Sequence, residues 1–217
     1  MEKLLLVTRP KYDDGTEYLS HYALQILKEC EKIGIKKKDF EGKDVTSRQV
    51  SKFIKKQAPK LLFINGHGDE NFLEGDKGEI LFSIDKNLDL LKGRIIYARA
   101  CHAGISLGKK AVEGSNGCFI GYKTPFSFWI DETRSATPAK DKVASLFLEP
   151  SNEVINCLIK GKTSEEAHEI SKDKMKYNMR EILKMNDEKE PGAMNWLSVL
   201  WINYSGQVLH GNKNITF

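Results

Sequence analysis

Residues 61–68 read Leu61-Leu62-Phe63-Ile64-Asn65-Gly66-His67-Gly68, and residues 95–104 read Ile95-Ile96-Tyr97-Ala98-Arg99-Ala100-Cys101-His102-Ala103-Gly104. Each stretch opens on an apolar run and closes on small, polar or glycine residues. A short continuous apolar run without alternation is the pattern of a strand buried on both faces. Leu4-Leu5-Leu6-Val7 and Cys118-Phe119-Ile120-Gly121-Tyr122 have the same form. Helical periodicity lies between them. Leu19, Tyr22, Ala23, Ile26, Leu27 and Cys30 recur at helical spacing, and Gly34 supplies a stop. Ser47 to Gln57 carries Val50, Phe53 and Ile54 as an apolar stripe, with Ser47 as its cap. Gly104 to Val112 reads as a third helix. Strands alternating with helices predict an α/β fold with a mainly parallel central sheet and helices on both faces.

The remaining segments fit around that sheet. Gly75-Asp76-Lys77-Gly78 between Phe72-Leu73 and Ile80-Leu81-Phe82 predicts a small hairpin inserted at the sheet's edge. Leu88 to Leu91 reads as a short helix. Residues after Tyr122 are irregular to about Lys142, and long loops in compact domains are usually functional or mobile. Lys142 to Leu148, Glu153 to Ile159 and Ser164 to Met185 read as helices. Leu197 to Tyr204 and Gln207 to His210 read as a terminal strand or hairpin. No repeat or linker divides the chain, so residues 1–217 are expected to form a single domain.

Composition narrows the function. With 40% hydrophobic and 29% charged residues, the chain reads as soluble and globular. The net charge of +4 is spread along it, and Lys36-Lys37-Lys38 lacks aromatic neighbours for stacking bases. That run is expected to be a solvated turn, and no nucleic-acid partner is expected. The cysteines at 30, 101, 118 and 157 form no C-x-x-C pair, so reduced thiols and a cytoplasmic location are expected. Leu4 to Val7 is too short for a signal core or a membrane span, so no membrane partner is expected, and the sequons at Asn203 and Asn214 read as chance matches.

Ligands bind beyond the carboxyl ends of strands in open parallel sheets. Beyond the two opening stretches lie His67 and, 34 positions later, Cys101. A thiol has a pKa of about 8.5, so a nucleophilic cysteine needs an imidazole or a helix N-terminus beside it. The helix expected from Gly104 would present its positive end to Cys101, and His67 would act as base and then as acid. Glycine at 68 lets a carbonyl approach the backbone closely. The N–H groups of Gly68 and Cys101 would then hold a tetrahedral oxyanion.

A strand ending in His67-Gly68, followed by one ending in Ala100-Cys101, resembles the caspase-like cysteine peptidases: caspases, legumains, gingipains, clostripain, separases and bacterial CHAT domains. Gly66-His67-Gly68 and Arg99-Ala100-Cys101 are most similar to the CHAT- and gingipain-like members. The resemblance covers the chain to about Tyr122, together with the Asn203…Gln207-Val208-Leu209-His210-Gly211 segment. It implies a caspase-like three-layer sandwich, a Cys101–His67 dyad and no cofactor or metal. His102 departs from the pattern, which often has Gln, Ser or a small residue there. Strand alternation would turn it to the opposite face.

Substrate contacts are expected from the loop after the first strand, through Asp13, and from the loop after the fourth, through Trp129 and Asp131. Acids outnumber bases in those loops, which leans towards a basic or mixed P1 residue. Cys30, Cys118 and Cys157 are assigned to packing, as are Trp196 and Trp201. The expected partner is a protein or peptide substrate, with a regulatory protein kept open and residues 123–142 as a potential activation loop. Two further readings stay open: a catalytically silent interaction module on the same fold, and a cysteine hydrolase or acyltransferase with a small-molecule substrate.

Overall fold

The structure, a computed structural model, describes residues 3–217. Strand β1 (Leu4–Arg9) leads into α1 (Asp14–Lys32). A reciprocal cap starts this helix: the Thr16 N–H donates to Asp13 Oδ1 at 2.7 Å, and the Asp13 N–H donates to Thr16 Oγ1 at 3.2 Å. Gly34, at φ +71°, follows its end. Strand β2 (Lys36–Glu41), helix α2 (Ser47–Gln57) and strand β3 (Leu61–Asn65) come next. Three short strands then follow, β4 (Gly68–Asp69), β5 (Phe72–Glu74) and β6 (Ile80–Ser83). Strand β7 (Ile95–Arg99), the short helix α3 (Leu107–Val112) and strand β8 (Cys118–Tyr122) complete the sheet's parallel part. Helices α4 (Lys142–Ile159), α5 (Ser164–Asp187) and α6 (Ala193–Gly206) precede the last strand, β9 (Gln207–Gly211).

Six strands form the central sheet in the order β2-β1-β3-β7-β8-β9. Every neighbouring pair is parallel except β8–β9. The two-residue period of the strands sorts their side chains into two cores. Leu5, Val7, Phe63, Tyr97 and Ile120 face the first, with residues of α1, α4, α5 and α6. Leu6, Leu62, Ile64, Ile96 and Phe119 face the second, with residues of α2 and α3 and of the small sheet β4-β5-β6. The α/β class, the mostly parallel sheet and the helices on both faces are as the apolar runs predict.

Five details differ from expectation. Lys36-Lys37-Lys38 is no turn but the start of edge strand β2, paired to β1 from Leu4↔Lys36 onward. An edge strand needs few buried residues, here Phe40, and tolerates lysines in solvent, so it lacks the apolar signature. The hairpin is not part of the central sheet; with Gly68–Asp69 it forms a separate antiparallel sheet. Leu197–Tyr204 is helical, because α6 packs on α5 and tertiary packing overrides the strand preference of its Val, Trp, Ile and Tyr residues. Trp201 is 56% exposed rather than core. The cap of α2 is Thr46, whose Oγ1 accepts from the Gln49 N–H, not Ser47.

Candidate active site

Strands β3 and β7 lie side by side, with Asn65 opposite Arg99 at their carboxyl ends. The chain leaves β3 through Gly66, at φ +146°, a conformation side chains rarely adopt. A Cβ there would stand 2.7 Å from the Glu74 carbonyl oxygen. Gly68 abuts the other strand's exit, since a Cβ on it would lie 3.1 Å from Ala100 Cβ. His67 and Cys101 consequently line one cleft of about 390 Å³.

His67 is oriented by two neighbours from the loop after β1. Its Nε2 lies 2.7 Å from Asp13 Oδ2, and the Tyr12 ring packs against the imidazole at 5.9 Å between centroids. Burial by itself would raise the Asp13 pKa, but the Thr16 backbone N–H, His67 and the Thr16 hydroxyl outweigh it and hold the carboxyl below its ordinary value. Asp13 thus has two tasks, capping α1 and holding His67, where the sequence reading cast it as a substrate contact. With Nε2 taken, Nδ1 is the imidazole nitrogen left to exchange a proton.

Cys101 is half-buried, and its Sγ donates to the Phe126 carbonyl at 3.9 Å. Burial pushes the thiol's pKa up, and the charge of Asp69 adds to it. The helix expected from Gly104 begins only at Leu107. Its first amides already have acceptors, Leu107 N–H on the Glu70 carbonyl and Gly108 N–H on the Ala103 carbonyl. The start of this helix therefore offers no free amide to the thiol, and burial disfavours its thiolate form. Two backbone donors nearby are uncommitted. Gly68 pairs with Leu73 between the bonds of a ladder in which the Glu74 N–H donates to His67 O, leaving the Gly68 N–H outside it. The Cys101 N–H has no acceptor among the described residues.

The cleft's outer wall is Phe126, Ser127, Phe128 and Ile130, from the irregular segment after β8. Two buried side chains pin that wall. Asn203 on α6 accepts from the Ser127 N–H at 3.2 Å and donates to the Ser127 carbonyl at 2.6 Å. Asp141 accepts from the Asp131 N–H at 2.8 Å and from the Tyr18 hydroxyl at 2.9 Å. Trp129 is 44% exposed and lies outside the lining. Asp131 also lies outside it; its Oδ1 accepts from the Thr133 N–H and hydroxyl at 3.0 and 2.6 Å.

Beneath the site, Arg99 is fully buried, with no carboxylate partner among the described residues. It donates to Asn65 Oδ1 (2.6 Å), Asn152 Oδ1 (3.0 Å), Ser151 Oγ (3.2 Å) and the Leu19 carbonyl (2.9 Å), and stacks over Phe63. Burial brings its pKa down to about 10, so it stays cationic at neutral pH. Asn65 Nδ2 in turn donates to the Thr8 carbonyl at 2.7 Å. This network ties the carboxyl ends of β1, β3 and β7 to α1 and α4. The sequence reading passed over Asn65, Arg99 and Asn203 as site supports. The signal available for Asn65 and Arg99 was a polar residue ending each apolar run; Asn203 stood out only through the resemblance, and its pairing, 76 positions away, leaves no local pattern.

His102 adopts φ +57° past the end of β7, so strand alternation does not govern it. It lies outside the lining of the cleft. Cys30, Cys118 and Cys157 are buried, consistent with packing. Asn203 is buried within a helix, which closes its sequon to modification in the folded protein. Among the described residues no three His, Cys, Asp or Glu side chains are grouped to hold a metal ion, and no helix is long and apolar enough to cross a membrane. No protein-family model matches the chain, and no curated protein matches it.

Proposed function

We propose that this protein is a cysteine endopeptidase of the caspase-like type, with Cys101 as nucleophile and His67 as acid–base partner, oriented by Asp13. The observation that carries the reading is the meeting of His67 and Cys101 in one cleft, at the carboxyl ends of adjacent parallel strands. In the reaction the thiol gives its proton to His67 as sulfur attacks the scissile carbonyl carbon. The oxyanion accepts hydrogen bonds from the Gly68 and Cys101 N–H groups, each worth about 3–4 kcal/mol in comparable acyl transfers. Collapse breaks the C–N bond, and the leaving amine takes the proton from His67. Water, deprotonated by His67, then hydrolyses the thioester and restores the thiol.

The raised thiol pKa and the Sγ contact with Phe126 favour a second reading, a catalytically silent interaction module, or a latent enzyme ordered by a partner. Two measurements separate the readings. Cleavage of a mixed peptide library by the wild type, lost in Cys101→Ala, supports the peptidase. Iodoacetamide should alkylate Cys101 far faster than Cys30, Cys118 or Cys157, and His67→Ala should slow that reaction about tenfold or more. A Cys101 rate indifferent to His67 would sink the dyad, whatever the peptide result.

A further inference from the structure

We infer that the cleft beside Cys101 receives an uncharged apolar side chain, so that the substrate is a polypeptide cut after a residue such as leucine, methionine or phenylalanine. This rests on the peptidase reading and adds its substrate class. Leu19 and Ala100 form buried parts of the lining, and Phe126, Phe128 and Ile130 form the outer wall. A volume of about 390 Å³ falls in the range of small-ligand pockets and leaves room for a branched or aromatic group.

The charged groups near the cleft are committed elsewhere or exposed; Asp69, whose charge reaches Cys101, is exposed and accepts from the Glu70 N–H. Carboxylates to hold arginine or lysine are lacking at depth: Asp13 serves His67 and Thr16, Asp131 serves Thr133, and Asp141 serves Tyr18 and the Asp131 and Ala144 amides. Asp14 does line the cleft, but it is exposed on the first turn of α1, where water screens it. Guanidiniums to hold aspartate are equally occupied. Arg9 is ion-paired to Asp39 at 2.6 Å and Glu41 at 2.8 Å, and Arg99 is enclosed by four acceptors. A charged side chain entering this cleft would lose water without gaining a buried counter-charge, whereas an apolar one gains by leaving water. The excess of acids over bases in the sequence of these loops therefore does not translate into a basic preference.

The test uses fluorogenic peptides identical except for Leu, Phe, Arg or Asp at P1, with matching acyloxymethyl ketones, in which Sγ forms a thioether and displaces the carboxylate. The expected result is kcat/KM, or the labelling rate at Cys101, at least about tenfold higher for Leu or Phe than for Arg or Asp. Ile130→Asp, which adds a carboxylate to the wall, should raise Arg relative to Leu by about tenfold. Preference for Arg or Asp in the wild type, equal labelling by all four probes, or an unchanged ranking in Ile130→Asp would overturn the inference. Iodoacetamide is run alongside. Fast, His67-dependent alkylation with the wrong P1 ranking removes the pocket assignment and leaves the peptidase standing; slow alkylation indifferent to His67 removes both.

Discussion

The two walls of the cleft are built differently. The inner wall, from Gly66 to Gly68 and from Ala100 to Cys101, continues directly from β3 and β7. Those strands are held by a ladder of parallel pairs and, beneath, by the Arg99 network. The outer wall, Phe126 to Ile130, belongs to no strand or helix; it is tied by the Asn203 and Asp141 side chains and by packing of Phe126 on Tyr122 and Phe128 on Tyr18. A ladder fixes positions redundantly, so losing one contact moves little. A loop has fewer ties, so losing one moves more of it. The proposed reacting groups therefore sit on the strand-borne wall and the proposed specificity surface on the loop-borne one, a division that suits loops placed on a fixed scaffold.

The comparison breaks most severely at Gly66. Gly66→Ala drives a Cβ into the Glu74 carbonyl from a backbone conformation reserved for glycine, and should cost about 3 kcal/mol or more in urea unfolding. A loss below about 1 kcal/mol would mean that the inner wall yields. Asn203→Ala should be milder, about 1–2 kcal/mol, because it leaves the Ser127 amide and carbonyl unpaired. Its signature lies in kinetics: KM for apolar-P1 peptides should rise about fivefold while alkylation of Cys101 stays within about twofold. A fall in alkylation equal to the rise in KM would show the two walls to be coupled.

Asp13→Asn should have the smallest effect on the fold, within about 0.5 kcal/mol at neutral pH, since asparagine caps a helix as well as aspartate. Turnover should nevertheless fall by about 10²-fold or more, because the amide cannot stabilise a protonated His67. The pH dependence has a definite sign. The Asp13 carboxyl is held below its ordinary value, so its stabilising contribution is full above about pH 4 and is lost as pH falls through the lowered value. Acid unfolding followed by circular dichroism should show less of that loss in Asp13→Asn. An identical acid transition in the two proteins would separate the Asp13–His67 contact from stability altogether.

How far each feature could be read from the chain depended on where its stabilising partners lie. The parallel strands β1, β3, β7 and β8 are legible because strands buried on both faces demand continuous apolar runs. Strand β2 is not, since its lysines carry no such demand and only pairing with β1 defines it. The run from Leu197 to Tyr204 is short and mostly apolar, and periodicity cannot tell a helix from a strand there. The helix after Cys101 begins at Leu107, three residues past the Gly104 start its sequence predicts, because the Gly104 N–H is taken by the Tyr122 carbonyl.

The candidate site follows the same rule. By itself the sequence determined the α/β class and the exit of His67 and Cys101 from the ends of two buried strands, because local pattern and chain order are enough for both. Only the tertiary structure decided that Asp13 holds His67 across 54 positions, that Asn203 pins Ser127 across 76, and that Asp131 and Trp129 lie outside the lining of the cleft. Those outcomes depend on side chains brought together from distant parts of the chain, and hydrogen bonds of that kind leave no periodicity in the sequence to read.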